Sequence, residues 1–322
     1  MATIKSVLVT GANAGLGKEA ARQLALDPSI TRVYLGARNE QRALQAKRDL
    51  EQATGRTIFE LLIFDLNDLA SARAAADMLP EPVDAVVLNA GGVGGPTAMN
   101  TTADGVLELF AFNVLGHVAL TQALLQQGKV TSTVLLAGTE ATRGISYMRI
   151  PRPALKTSSE AEFASIIDGS WFDAPDPMAA YGIVKYVGTL WMSAMARRHP
   201  SVRFVTVSPG ATRGTNGPEQ LPALLRFMYK YVAFPMLTAF GRAHSVEVGA
   251  KRYLDVLANP RQFGSGGFYA SKASSTSGPL QEQSPQFEDL ANESIQDRAY
   301  AAVQRFVGSP TAQTTVERQA AS

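Results

Sequence analysis

The chain has no cysteine and only three histidines in 322 residues. The missing thiols exclude disulfides, thiol nucleophiles and cysteine-based metal centres. His117, His199 and His244 lie far apart in the sequence, so each reads as an ordinary surface or core histidine rather than a member of a metal set. A charge excess is also missing. The 30 basic and 28 acidic residues leave a net charge of +2, and no basic run or interleaved aromatic stripe points to nucleic acid. Long hydrophobic runs are absent too. The stretch Tyr231 to Gly241, broken by Pro235, falls short of the roughly 20 residues a membrane span needs. The N-terminus runs into the apolar Ser6-Val7-Leu8-Val9 without the long apolar stretch and cleavage site of a signal peptide. What remains is a chain that is 46% hydrophobic, ample for a large buried core, and expected to be cytoplasmic.

Short apolar runs alternate with helical patterns through the first two-thirds. Val7–Val9, Val33–Leu35, Ile58–Phe64, Ala85–Leu88, Val134–Leu136 and Phe204–Val207 read as buried parallel strands. Helical stretches lie near 16–26, 40–53, 68–78, 103–127 and 179–198. This alternation predicts a single α/β domain over residues 1–308, a Rossmann-type doubly wound parallel sheet of about seven strands with helices on both faces. Two segments exceed that plan. Residues 143–178, rich in Pro, Ser and Gly, form a long insertion that is functional, partly folded or mobile. Residues 219–241 carry Phe227, Tyr229, Tyr231, Phe234 and Phe240, and read either as core or interface packing or as a lid over an apolar substrate pocket. Residues 309–322 are polar and aperiodic, and are expected to be loose.

The turn Thr10-Gly11-Ala12-Asn13-Ala14-Gly15-Leu16-Gly17 joins the first strand to the first helix. Glycines there let the backbone approach a pyrophosphate at a helix N-terminus. The spacing is G-x-x-x-G-x-G, and a P-loop is excluded because Ala12 and Glu19 stand at two of its defining positions. The second strand ends in Arg38, with no acidic residue from Val33 to Asn39. An acid there would bind a ribose 2′-hydroxyl, whereas an arginine accommodates a 2′-phosphate, so the cofactor expected is NADP(H). Asp65, beside Leu66, could accept from an adenine amino group or serve only its helix N-terminus. Asn89-Ala90-Gly91 ends the fourth strand with residues small enough for a ligand to lie against the backbone.

Tyr181 and Lys185 stand four apart on a predicted helix and so share a face. A free tyrosine has a pKa of about 10. A cation one turn away is expected to favour the phenolate and bring the phenol toward working pH.

Together these elements resemble the short-chain dehydrogenase/reductase family over roughly residues 4–308, carried by the glycine turn, Asp65-Leu66, Asn89-Ala90-Gly91, Asn113, Tyr181-Gly-Ile-Val-Lys185 and Ser208-Pro209-Gly210. The resemblance implies that Tyr181 is the proton donor in reduction. It also implies that Lys185 binds the nicotinamide ribose and lowers the Tyr181 pKa, and that Asn113 holds a relay water. Pro209-Gly210 would pass the nicotinamide, with Thr212 or Thr215 beyond it touching the cofactor. Gly11, Asn13, Ala14, Gly15, Leu16 and Gly17 would hold the phosphates. The family's usual serine after the fifth strand is missing. Thr139 takes its place in the best register, with Gly138 the alternative.

Within the family the chain is similar to the light-dependent protochlorophyllide oxidoreductase branch, through Gly138-Thr139, the long segment before Tyr181, Ile167-Asp168-Gly169 and Ser265-Gly266-Gly267-Phe268-Tyr269. That branch has a cysteine after its Pro-Gly, where this chain has Ala211, and a serine where this chain has Val184. The activity expected is therefore NADPH-dependent reduction of a ketone or aldehyde in a bulky, largely apolar small molecule. Reduction of a conjugated C=C bond and a non-catalytic NADP-binding regulator are the alternatives. A homodimer or homotetramer is open, since the insertions could block the faces the family uses.

Overall fold

The computed structural model describes residues 4–148, 150–212, 243–273 and 275–308. The segment read as a lid, Thr215 and the polar tail lie outside the described residues. Eight strands form one sheet in the order β3-β2-β1-β4-β5-β6-β7-β8: β1 Ser6–Thr10, β2 Arg32–Ala37, β3 Phe59–Ile63, β4 Val83–Leu88, β5 Val130–Ala137, β6 Arg203–Val207, β7 Phe268–Ala270 and β8 Gln281–Glu282. The first seven run parallel and β8 closes the edge antiparallel to β7. The six strands expected from apolar runs are all present. Their side chains are buried on both faces, as a sheet covered by helices on each side demands: Leu8, Val86 and Leu136 pack into one core, Val7, Val87 and Leu135 into the other.

Helices α1 (Gly15–Leu26), α2 (Glu40–Thr54) and α3 (Leu69–Asp77) return the chain between the first four strands. Asn39 caps α2 and Asp68 caps α3 through side-chain oxygens, and Asp176 followed by Pro177 does the same for the Pro177–Arg198 helix, the usual start signals. The expectation that long hydrophobic runs are absent is not met: the helix Glu108–Gln126 is long and apolar enough to span a membrane, but 78% of its apolar window is buried inside the protein. It is a core helix, packed so closely that a methyl group at Gly116 would meet the Leu66 carbonyl at 2.1 Å.

The order of strands reverses between β1 and β4, the two neighbours at the centre of the sheet. In an open α/β sheet this is where a crevice forms at the carboxyl ends of the strands.

The insertion is folded. A 3-10 turn at Glu140–Arg143 leads into it, and it holds another at Ser146–Met148 and a helix at Glu160–Asp168. Long side chains fasten it to the C-terminal part. Buried Arg143 donates to the carbonyls of Ala273 at 2.7 Å, Ser275 at 2.6 Å, Lys272 at 2.9 Å and Ser271 at 3.1 Å. Arg152 pairs with Asp289, which also accepts from Tyr186 at 2.7 Å. Arg298 donates to the Ser158 carbonyl at 2.6 Å. Within the insertion, the Glu162 carboxylate accepts from the N–H groups of Lys156, Thr157 and Ser158 at 2.7–2.8 Å. Burial works to raise its pKa, but the donated bonds outweigh it and hold the group at about 2.

Candidate active site

The glycine turn lies over the reversal point. Gly11 and Gly15 have φ of +66° and +53°, the region in which a side chain is strained. Gly17 carries no room for one: a Cβ would stand 2.4 Å from the Gly11 carbonyl oxygen and 2.5 Å from Asn89 Nδ2. Residues 11–14 form the turn, tied to β2 by the Ala12 N–H to Gly36 carbonyl bond of 3.1 Å. Helix α1 begins at Ala14 with no side-chain cap and no acid in its first turn. Its first N–H groups therefore lack the side-chain acceptor that α2 and α3 have, which fits a phosphate at this end of the helix.

Asn89 and Ala90 close the other wall. Asn89 donates to the Thr10 carbonyl at 3.0 Å, and the Ala90 N–H donates to Thr10 Oγ1 at 2.9 Å. Arg38, at the end of β2, is exposed and makes no hydrogen bond or ion pair with the described residues. Asp65 is half-buried and accepts from the Asn67 N–H at 2.9 Å, so it closes its own turn, while Asp68 is the cap. Leu66 is buried against the core helix.

Asn113 and Lys185 meet above Gly91. A methyl group on Gly91, whose φ is +145°, would lie 2.4 Å from Asn113 Oδ1 and 3.1 Å from Lys185 Nζ. Asn113 sits in a π-turn, Ala111–Leu115, inside the core helix, a distortion that tends to mark sites. Its amide clamps the turn after β4, accepting from the Gly92 N–H at 3.0 Å and donating to the carbonyls of Gly92 at 2.8 Å and Leu109 at 2.9 Å. Both side-chain donors are thus engaged, so a relay water would have only an oxygen lone pair or the main-chain carbonyl to use.

Lys185 is fully buried and donates to the Ala137 carbonyl at 3.0 Å, at the end of β5. Burial pushes its pKa down to about 7. Tyr181 is half-buried on the same helix, with the Lys185 ammonium 6.0 Å from its ring centre. The expectation that Lys185 lowers the Tyr181 pKa is not met. Burial and then the Glu140 charge raise the phenol to about 12, opposed only by a hydrogen bond with Thr139. The physical reason is placement: the lysine faces the sheet carbonyl rather than the phenol oxygen, and burial weakens the very charge the argument relied on.

That Thr139–Tyr181 contact favours Thr139 over Gly138 as the hydroxyl after β5, since Gly138 is packed where a Cβ would meet Thr206 Cγ2 at 2.8 Å. Pro209-Gly210 follows β6, with Gly210 at φ +80°. Thr212 is buried and donates to the Gly210 carbonyl at 3.0 Å.

Three residues around this site escaped the sequence reading. His117 is not merely a core histidine. The carbonyl of Asn113 can only accept, at 3.3 Å from Nδ1, which assigns the ring proton to Nδ1 and leaves Nε2 to accept from Thr10 at 3.0 Å. Burial, then the Lys185 charge, drive its pKa to about 3. The signal was available: His117 is four residues after Asn113 and so shares its face. Glu140 and Arg252 form a buried ion pair at 3.4 Å beside Thr139, and no local pattern announces it.

The profile of the family described as short chain dehydrogenase matches residues 5–143. A short-chain dehydrogenase/reductase of Armillaria gallica is 31% identical over 262 residues, covering 77% of this chain and 79% of its own. The short chain dehydrogenase rstn4 of Aspergillus nomiae is 39% identical over 143 residues, 43% of this chain but only 38% of that protein. Among solved structures, an uncharacterized protein from Mycobacterium paratuberculosis superposes with a TM-score of 0.66 at 22% identity, covering 95% of this chain and 94% of the other. An NADPH-bound carbonyl reductase from chicken fatty liver superposes with a TM-score of 0.56 at 20% identity, covering 86% and 100%.

Proposed function

The chain belongs to the short-chain dehydrogenase/reductase family of NAD(P)(H)-dependent oxidoreductases, and on that footing we propose that it reduces a ketone or aldehyde of a bulky, largely apolar small molecule, with NADPH as reductant. The observation that carries the reading is the geometry at the crevice: the Tyr181 phenol, hydrogen-bonded to Thr139, stands on the helix that also brings buried Lys185 over Gly91 beside Asn113. A phenol there is protonated at neutral pH and can donate, but the raised pKa makes it a weaker acid in the free protein, so donation draws on the charge that develops on the substrate oxygen.

The residues fit the cofactor. At Gly11 and Gly17 the backbone packs too closely for a Cβ, and Gly15 holds φ +53°, so only glycine makes this turn, and the uncapped start of α1 would meet the phosphates. Arg38 is free to meet a 2′-phosphate, and Asn89-Ala90-Gly91 and Pro209-Gly210 would flank the nicotinamide riboside. Bound NADPH supplies the hydride. The chain's own residues orient the substrate and handle the proton. Thr139 and Tyr181 donate to the oxygen on which negative charge develops, and Tyr181 gives up its proton to it. Lys185, charged below about 7 even without ligand, would take the ribose hydroxyls as further partners of Nζ. A carbonyl reductase shares the fold, and the aromatic residues of 219–241 support an apolar substrate.

The experiment is NADPH oxidation measured against a panel of aromatic and polycyclic ketones and aldehydes, in the unmodified protein and in Tyr181→Phe. NADPH should be used in preference to NADH. Tyr181→Phe should lower turnover about 10²–10⁴-fold while cofactor affinity is kept. Turnover that survives the substitution would remove Tyr181 as donor. A substrate reduced only at a conjugated C=C bond would replace the carbonyl reading.

A further inference from the structure

Glu140 directly follows Thr139, and its carboxylate is 3% exposed. A carboxylate taken from water needs strong compensation, yet Glu140 gives nothing to its own turn. The 3-10 turn closes without it, through the Ala141 N–H to Thr139 Oγ1 at 3.2 Å, the Thr142 N–H to the Thr139 carbonyl at 3.2 Å and the Gly144 N–H to the Ala141 carbonyl at 3.1 Å. Among the described residues, every partner of the Glu140 side chain comes from elsewhere in the fold. One oxygen accepts from Ser208 Oγ at the end of β6. The other accepts from Ser271 Oγ at 3.1 Å and its N–H at 3.4 Å after β7, and faces Arg252 at 3.4 Å. Arg252 in turn donates to the Ser208 carbonyl at 3.0 Å, Ser271 Oγ at 2.8 Å and the Gly278 carbonyl at 2.8 Å.

Ser208 is the pivot. Its hydroxyl gives its one proton to Glu140 and accepts from the Gly210 N–H at 3.1 Å. The hydroxyl that fixes the Pro209-Gly210 backbone is therefore aimed by the residue next to Thr139. We propose that Glu140 is a positioning residue of the reductase centre: its carboxylate joins the Thr139 turn after β5 to the Ser208-Pro209-Gly210 turn after β6, so that the wall facing the substrate oxygen and the wall facing the nicotinamide hold one fixed separation. The inference rests on the carbonyl-reductase reading for its kinetics but not for its geometry. Glutamine is the discriminating replacement. It keeps the shape, but one of its two ends becomes a donor. Either Ser208 or Ser271 then loses its acceptor, and Arg252 loses its counter-charge.

The test compares Glu140→Gln, Glu140→Asp, Ser208→Ala and the double variant Glu140→Gln/Ser208→Ala. Hydrogen exchange of the ligand-free protein should show residues 139–144 and 208–212 both exchanging faster in Glu140→Gln. Acceleration confined to 139–144 would overturn the proposal, whatever the activity. In the active enzyme, Glu140→Gln should lower kcat about 10–100-fold, the scale of a small misplacement, with the NADPH Kd changed less than about threefold. Glu140→Asp should recover part of kcat. The double variant should lose no more than the worse single variant, because both break one link; multiplied losses, or a Glu140→Gln enzyme with unchanged kcat, would also overturn it. If the unmodified protein reduces no carbonyl at all, the reductase reading fails and the exchange result alone decides whether Glu140 joins the two turns.

Discussion

The cofactor cradle and the clasp around the insertion are made of opposite materials. The cradle is backbone and small residues: Gly11, Gly15, Gly17, Ala90 and Gly91, with few side chains longer than Thr10 or Asn89. The clasp is long side chains reaching main-chain oxygens and carboxylates across the fold: Arg143 to 271–275, Arg152 to Asp289, Arg298 to Ser158. A cradle must leave space, so its residues are chosen for what they omit. A clasp must fill space and satisfy carbonyls that no strand pairs, so its residues are chosen for reach and for donor count. The first kind should fail through ligand affinity when disturbed, and the second through stability.

Arg143→Leu gives the largest expected break. It removes the hydrogen bonds to the buried Ser271 carbonyl and to the more exposed carbonyls of Lys272, Ala273 and Ser275 at once, and the loss should be about 2–4 kcal/mol of unfolding free energy, measured by urea denaturation. The NADPH affinity of the folded fraction should stay near its original value. If affinity falls in step with stability, the two regions are not separable. Gly17→Ala is the mirror case. Its Cβ would stand 2.4 Å from the Gly11 carbonyl oxygen, so the turn must move, at about 1–3 kcal/mol. That should appear as a roughly 10–100-fold weaker NADPH Kd by fluorescence titration, with a smaller change in the denaturation midpoint. A stability loss exceeding the loss in affinity would erase the contrast.

The smallest effect separates the regions by pH. His117 belongs to the cradle through Thr10, and its folded pKa of about 3 lies below the ordinary histidine value of 6.5. Between those values the unfolded chain binds a proton that the native state does not, so stability is lost as pH falls through the window. Glu162 belongs to the clasp. Held at about 2 against 4.5, it contributes stability that is present above 4.5 and lost as pH falls toward 2. From pH 6 to 5 the slope therefore belongs to the histidines. His244 is shifted in the same direction and adds to it, so His117→Gln should reduce the slope without abolishing it, by about 1 kcal/mol over that unit. An unchanged slope would show that His117 is charged in the folded protein.

The same contrast explains what could be read from the sequence. Val7–Val9, Val33–Leu35 and their successors announced the sheet because a strand buried on both faces must be apolar over a short run. The cradle was readable because its glycines stand at fixed local offsets between a strand and a helix. Tyr181 and Lys185 were readable as a pair through helical spacing, but the direction of the Tyr181 shift was not, since it depends on burial of the phenol and on the charge of Glu140. The clasp and the Glu140–Arg252 pair join residues more than 100 positions apart. Nothing local distinguishes Arg143 or Glu140 from a solvated charge. The folded turns of the insertion stayed hidden for the same reason.

The π-turn at Ala111–Leu115 bears on how the chain can change its length. Such a turn holds one residue more than the α-helix would place between the same ends, and each residue of a regular helix advances by about 100°. Deleting Phe112 would let the helix relax to its preferred winding, but Asn113 and His117 would then be turned relative to Leu109, away from the backbone groups they hold. The deletion should leave the melting temperature unchanged or raised and weaken NADPH binding. A fall in melting temperature with binding intact would show that the extra residue serves packing instead. On this account the better-wound helix belongs to the poorer enzyme, and the surplus residue cannot drift out of the lineage by a harmless loss.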